Sequence, residues 1–239
     1  MNLYINLNEG LKMGNDKIQS AKTNIRRGRL VVSDSVIKRL PRYFRYLRIL
    51  MRSGISRISS SELSKMMNVT ASQIRQDLNC FGGFGQQGYG YNVEYLYANI
   101  CELLGVGAGF NSVIIGAGNL GRAIIKSNMF EKRGVEIIGI FDTSANAIGE
   151  KIEYIEVLNI DKLEEFCASN KVDFAVLTLP KSNAQEMASK LYGIGVHAFW
   201  NFTGQELELP RDAIVENVHL GDSLMTLCYQ MKIAEENKE

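Results

Sequence analysis

Ten residues constrain the fold of this chain more than any others: Ser112-Val113-Ile114-Ile115-Gly116-Ala117-Gly118-Asn119-Leu120-Gly121. A short apolar run enters G-x-G-x-x-G, and Arg122-Ala123-Ile124-Ile125 continue with helical apolar spacing. That order predicts strand, tight turn and helix. The first glycine permits the turn, the second admits a pyrophosphate against the backbone, and the third lets the helix pack on the strand. Phosphates would then lie at a helix N-terminus, where free N–H groups and the helix dipole favour anions. A second apolar run, Val135-Glu136-Ile137-Ile138-Gly139-Ile140-Phe141, ends in Asp142, at the spacing of the acid that holds an adenosine ribose. The candidate dinucleotide contacts are therefore Gly116, Ala117, Gly118, Asn119, Leu120, Gly121 and Asp142.

From Asn111 onward the pattern alternates. Strands are expected near 112–116, 136–141, 172–179, 196–200 and 214–219, and helices near 119–128, 160–169, 181–193 and 222–235. This is the signature of an α/β domain with a doubly wound parallel sheet. Thr178 and Pro180 follow a buried-type strand and face the same crevice as the glycines, so they join the cofactor list. Leu224, Leu227, Cys228 and Met231 form one stripe of the last helix, either core or a partner surface.

The first half of the chain has a different character. Residues 1–110 hold 15 Lys/Arg and 7 Asp/Glu, whereas residues 111–239 hold 12 and 19. A basic N-terminal domain next to an acidic one points to a polyanion partner. Residues 1–35, with Arg26, Arg27 and Arg29, read as a flexible extension. Pro41 opens a helix on which Tyr43, Phe44, Leu47, Leu50 and Met51 share one face, with Arg42, Arg45, Arg48 and Arg52 largely opposite and Gly54 at C′. Ser59 and Glu62 are spaced as a capping box, with Leu63, Met66 and Met67 as the core face, and Asn68-Val69 as the turn. Thr70 and Gln73 repeat the spacing and open a helix with Ala71, Ile74 and Leu78 inward and Ser72, Gln73, Arg75, Gln76 and Asn79 outward. Two short helices joined by a tight turn, the second polar outside, read as helix-turn-helix, with Gln suited to adenine and Arg to guanine in the major groove. The glycine- and aromatic-rich run from Phe81 to Tyr91 reads as a β-ribbon or wing whose backbone can follow phosphates, adding Gln87 and Tyr89 to the nucleic-acid candidates Arg42, Arg45, Arg48 and Ser60. A helix near Val93–Leu104 would link the halves.

Other chemistry is thinly represented. The four cysteines (Cys80, Cys101, Cys167, Cys228) have neither C-x-x-C nor metal spacing, and the default is reduced thiols in the cytoplasm. There is no long apolar span and no signal-peptide core at the N-terminus. The two histidines, His197 and His219, sit beside a strand start and the last helix, and no paired acid or activated nucleophile accompanies them. Three readings follow: a DNA-binding switch that reports a nicotinamide dinucleotide, an NAD-dependent oxidoreductase with an added basic domain, or a regulator of another nucleotide such as a coenzyme A derivative. Asp142 favours NAD(H).

The basic helix Leu40–Leu50, the run Ile58–Ser64, Thr70–Leu78, the Phe81–Tyr91 wing and the glycine loop occur in an order that resembles the Rex family of bacterial redox-sensing repressors, over about residues 36–236. The resemblance implies a winged-helix domain (36–92), a linker helix (93–110), a Rossmann NAD(H)-binding domain (111–221) and a C-terminal helix (222–239) swapped in a homodimer. It implies operator binding with NAD⁺ and release with NADH, at genes of fermentation and respiration. The chain departs from the family pattern at Gln76 and Gln87, where a basic residue is common, at Ser127, where many members have Tyr, and at His219, where many have Asp. In such members that Tyr and Asp communicate the nicotinamide state, the Asp pairing with an Arg that matches Arg45.

Overall fold

The computed structural model describes residues 33–80, 85–86 and 89–237, with backbone alone at 85–86. It divides into two compact units, Met1–Gly105 and Val106–Glu239. The basic cluster at Arg26–Arg29 and the wing residue Gln87 lie outside the described residues.

The first unit runs α1 (Asp34–Ile37), α2 (Leu40–Arg52), β1 (Arg57–Ile58), α3 (Ser60–Met67), α4 (Ala71–Asn79), β2 (Gly85–Gln86), β3 (Gly90–Asn92) and α5 (Val93–Leu103). Its three strands form an antiparallel sheet in the order β1-β3-β2, the ribbon expected of a wing. Local chemistry sets the boundaries. Ser59 and Glu62 make the full reciprocal capping box on α3, Asn68 turns the chain in the left-handed region at φ 49°, and the Thr70 side chain accepts from the Gln73 amide. Tyr43, Leu47 and Leu50 of α2 are buried in the same unit as Leu63, Met67, Ile74 and Leu78 of α3 and α4. Met51, expected on that face, is 38% exposed, while Leu40 is buried. Periodicity gives the direction of a side chain, not whether an element lies opposite it. α5, expected as a connector, is a wall of this unit: Val93, Leu96 and Ile100 are buried, and Tyr97 stacks on Phe44 at 5.3 Å. Burial pushes the Tyr97 hydroxyl up to about 12.

The second unit runs β4 (Phe110–Ile115), α6 (Asn119–Lys126), β5 (Val135–Asp142), β6 (Lys151–Ile152), β7 (Ile155–Asn159), α7 (Leu163–Ser169), β8 (Phe174–Leu177), α8 (Lys181–Gly193), β9 (Ala198–Asn201), β10 (Ile214–Asn217) and α9 (Leu220–Glu236). The sheet order is β10-β9-β8-β4-β5-β7-β6, parallel throughout except for β6. Each face carries an apolar cluster, one built on Ile114, Ile124, Ile140 and Val176, the other on Val113, Phe141, Leu177 and Leu191. The sequence pattern missed the β6–β7 hairpin: β6 is two residues long and the five residues of β7 run straight into the next helical turn, too little periodicity to read. It also ran β8 too long at both ends. α9 buries none of its residues within the chain.

Candidate functional sites

The order of the sheet places the glycine loop where a parallel α/β sheet binds ligands, beyond the carboxyl ends of its strands. Gly116 leaves β4 at φ +104°, a conformation that L side chains resist, and its N–H donates to the Phe141 carbonyl at 2.8 Å. A Cβ on Gly121 would meet the Gly116 carbonyl oxygen at 2.2 Å, so α6 can approach the strand this closely only without a side chain there. A Cβ on Gly118 would meet nothing within 4 Å. Gly118 caps α6 with no side-chain bond, leaving the first-turn amides of the helix to an anion. Gly116 thus makes the turn and Gly121 the close helix packing expected of them, and the space beside Gly118 is open.

The remaining candidates at this loop divide by what their atoms touch. Asp142 ends β5 beside the loop. One carboxylate oxygen accepts from the Ala117 amide at 2.6 Å and the other from the Ser144 amide at 2.7 Å. Thr178 donates its hydroxyl to the Gly116 carbonyl at 2.8 Å, which fixes the loop. Ala117 is buried and Leu120 packs on the core cluster, so both offer only backbone to a ligand. Asn119 and Pro180 are exposed, with Pro180 at the start of α8. Ser127 donates to the Ile124 carbonyl at 2.6 Å. The His219 ring nitrogen Nε2 lies 3.1 Å from the Glu206 carboxylate, which also accepts from the Asn217 side chain at 3.0 Å.

In the first unit the organising group is one that sequence reading passed over. Asp77 on α4 is fully buried. Its carboxylate accepts from Arg39 Nε at 2.7 Å and Nη2 at 2.8 Å, from the Tyr43 hydroxyl at 2.9 Å and from Gln73 Nε2 at 2.7 Å. Burial disfavours its charged form, but the bonds from Arg39, then Gln73 and Tyr43, outweigh it and hold the carboxyl below the ordinary range. Burial first, and the bond to Asp77 second, push the Tyr43 hydroxyl up. These contacts bolt α4 to α2.

The network corrects two expectations. Gln73 turns inward to Asp77, because an amide four residues before a buried carboxylate on one helix face completes its hydrogen bonding. Arg42 donates to the Met67 carbonyl at the end of α3, where a cation suits the helix C-terminus, so it is partly engaged in structure. The other candidates stay outward. Ser72, Arg75, Gln76 and Asn79 are exposed on α4, and Arg75 Nη1 donates to the Ser60 hydroxyl at 3.0 Å. Arg45 and Arg48 lie over the Tyr46 and Phe44 rings at 5.3 and 5.4 Å. Tyr89 is 70% exposed, with the Arg57 guanidinium 5.9 Å from its ring centre. Among the described residues no group of His, Cys, Asp and Glu has metal-site geometry, and no helix is long and apolar enough to cross a membrane.

Comparison with known proteins gives a family match on each unit. A family described as "Putative DNA-binding protein N-terminus" matches residues 31–79, and one described as "CoA binding domain" matches residues 110–204. The redox-sensing transcriptional repressor Rex of Caldanaerobacter subterraneus subsp. tengcongensis is 54% identical over 205 residues, covering 86% of this chain and 92% of that protein. Rex of Clostridium perfringens is 50% identical over 198 residues, covering 83% and 93%. Among solved structures, RSP in complex with β-NAD⁺ and operator DNA matches with a TM-score of 0.81 at 53% identity, covering 87% of this chain and 96% of that one. RSP in complex with β-NADH matches with a TM-score of 0.81 at 50% identity, covering 87% and 98%. With half or more of its residues shared over nearly the whole length of these repressors, and with the glycine loop and the helix-turn-helix in place, the chain belongs to the Rex family of redox-sensing transcriptional repressors.

Proposed function

We propose that this chain is a DNA-binding transcriptional repressor that reports the NADH/NAD⁺ ratio, holding its operator with NAD⁺ and releasing it with NADH. The carrying observation is one chain that joins a glycine loop with an open approach at Gly118 to a basic helix-turn-helix whose α4 presents Ser72, Arg75, Gln76 and Asn79. Its relatives are repressors rather than enzymes, although the sheet is of the dehydrogenase type. Gly116–Gly121 would take the pyrophosphate on backbone amides, and Asp142 the adenosine ribose, with Thr178 and Pro180 at the nicotinamide side. Arg75 and its neighbours on α4 would read bases, while Arg45, Arg48 and, in part, Arg42 supply charge to phosphates, with Ser60 and Tyr89 beside them. Two copies related by a two-fold axis would read two half-sites about 34–36 Å apart.

A ligand moves such a switch only by its differential affinity for the two states, and going from 1:99 to 99:1 takes about 5.5 kcal/mol. NADH and NAD⁺ differ in ring charge and planarity, so the nicotinamide must touch groups whose arrangement differs between the states. With Ser127 and His219 in place of the family's Tyr and Asp, the reading assigns that signal to packing between the two copies. The test is a mobility-shift assay on a palindromic operator at several NADH/NAD⁺ ratios. Loss of the shifted band as NADH rises is expected. Equal binding at every ratio would overturn the reading, and release by an acyl-coenzyme A instead of NADH would replace it.

Two substitutions separate the sites. Gly118→Ala should change stability by less than about 1 kcal/mol, since its φ of −73° suits alanine and the space is open while alanine is the poorer N-cap. It should nevertheless weaken NADH binding at least about tenfold by placing a methyl group where the pyrophosphate meets the backbone. Unchanged NADH affinity would remove the phosphates from this loop. Arg75→Ala should cost about 1–3 kcal/mol of operator binding and relax base preference at one position of each half-site. A drop that is equal on all sequences would make Arg75 a phosphate contact.

A further inference from the structure

Ala117, at the centre of the glycine loop, is held from both ends by side chains of opposite charge. Its N–H donates to the Asp142 carboxylate at 2.6 Å, and its carbonyl accepts from Arg122 Nε at 2.7 Å. Arg122 and the carboxylate assigned to the ribose thus hold the two ends of one loop residue. Arg122 Nη2 also pairs with the Glu150 carboxylate. Glu150 stands at the far end of the turn that begins at Asp142, and its backbone is fixed there: its N–H donates to the Ala147 carbonyl at 3.1 Å and its carbonyl accepts from the Val157 amide at 2.8 Å. The two side chains are 34% and 49% exposed, so solvent reaches the pair.

The charge balance of this corner decides which dinucleotide it accepts. In many folds of this type an Arg at the end of β5 receives the extra 2′-phosphate of NADP(H). The run Thr143-Ser144-Ala145 supplies none, but the fold brings Arg122 in from α6. We propose that Glu150 is a specificity-determining residue for the dinucleotide: by pairing with Arg122 it withholds from the adenosine end the guanidinium that would otherwise receive a 2′-phosphate. Asp142 and Glu150 together outweigh Arg122 by one negative charge, which a 2′-hydroxyl tolerates and a phosphate does not. The inference rests on the dinucleotide reading given above.

The experiment is titration of the full chain with NADH and with NADPH, followed by nicotinamide fluorescence, for the wild type, Glu150→Gln, Glu150→Ser and Glu150→Gln with Arg122→Gln. The wild type is expected to prefer NADH by at least about tenfold. Each Glu150 substitution should raise NADPH affinity about tenfold while NADH stays within about threefold, because one unit charge is removed next to a free guanidinium. Adding Arg122→Gln should abolish the gain. The gain should also shrink as salt is raised, because exposed charges are screened. A loop merely loosened by losing Glu150 would weaken both ligands together. An NADPH/NADH ratio unchanged in both Glu150 variants, or a gain that survives Arg122→Gln, would overturn the proposal while leaving the dinucleotide reading intact. A wild type that binds neither ligand would overturn that reading, and this inference with it.

Discussion

Asp77→Ala should destabilise the first unit by about 2–4 kcal/mol, because the buried Tyr43 hydroxyl loses its acceptor and the Arg39 guanidinium, 23% exposed, loses a bidentate partner. Arg39, Tyr43 and Gln73 all lose their acceptor in this variant. For a unit of this size the melting temperature should fall by about 8 °C or more. Operator binding should disappear, since α4 is bolted to α2 through this carboxylate, while NADH binding in the second unit persists. Asp77→Asn keeps one oxygen for Tyr43 and Arg39 Nε but sets an amide NH2 against Arg39 Nη2 and Gln73 Nε2, so it should recover only part of the loss. The pH dependence has a definite sign. A carboxyl held below its unfolded value of about 3.9 contributes its full stabilisation above that pH and loses it as the pH falls through the lower folded value. The Asp77 contribution should therefore stay constant from neutral pH down to about pH 5, begin to fall near pH 4 and be gone only below the lower folded value. An Asp77→Ala protein that melts with the wild type would show that the network contributes nothing to α4.

The contrast between Asp77 and the glycine loop explains what could be read from the chain. The loop is local: strand, turn, helix and the acid of the next strand fall within about one βαβ unit, and Gly116 and Gly121 each have a backbone reason visible in the fold. The capping box at Ser59 and Glu62 is equally local and formed as expected. Asp77 is different. Its partners Arg39 and Tyr43 lie 38 and 34 residues away, and a charged residue on a short amphipathic helix looks solvated until the opposing helix is in place. Gln73 was read as a base contact for the same reason: its direction depends on a carboxylate whose burial the sequence does not reveal. Arg122 and Glu150 form a pair across 28 residues, through a hairpin that had no periodicity to announce it. Local propensity is legible, whereas pairing of polar groups across elements needs the fold first. A signal was present all the same. Arg39 is the one base of its cluster adjacent to the start of α2, and Asp77 is the one acid between Glu62 and Glu94, so an acid among so many bases was itself a candidate for pairing.

On the proposed two-copy reading, Leu227→Asp should give a monomer and abolish tight operator binding. Along α9, Leu220, Leu224, Leu227 and Met231 recur at helical spacing, each between half and two-thirds exposed, with Met225 and Tyr229 beside them. An apolar stripe of this length on a chain of ordinary composition marks an interaction surface. In a C2 assembly the stripe on each copy is covered by the same contact twice. Burying each such Leu contributes about 2 kcal/mol, and an unpaired carboxylate in its place costs several kcal/mol per copy, so one substitution is counted twice in the dimer. The folded units themselves should survive, because α9 buries nothing within its own chain. Loss of the dimer removes the tether that makes the second half-site contact intramolecular, and operator affinity should fall by about 10²–10⁴-fold. NADH should still bind the monomer without effect on its residual, non-specific DNA binding. Sedimentation and mobility shift, run on Leu227→Asp and on Lys232→Glu as a charge change off the stripe, make the comparison. Lys232→Glu should remain dimeric. A Leu227→Asp protein that sediments as the wild type does and keeps its operator affinity would place the stripe outside the assembly that reads DNA.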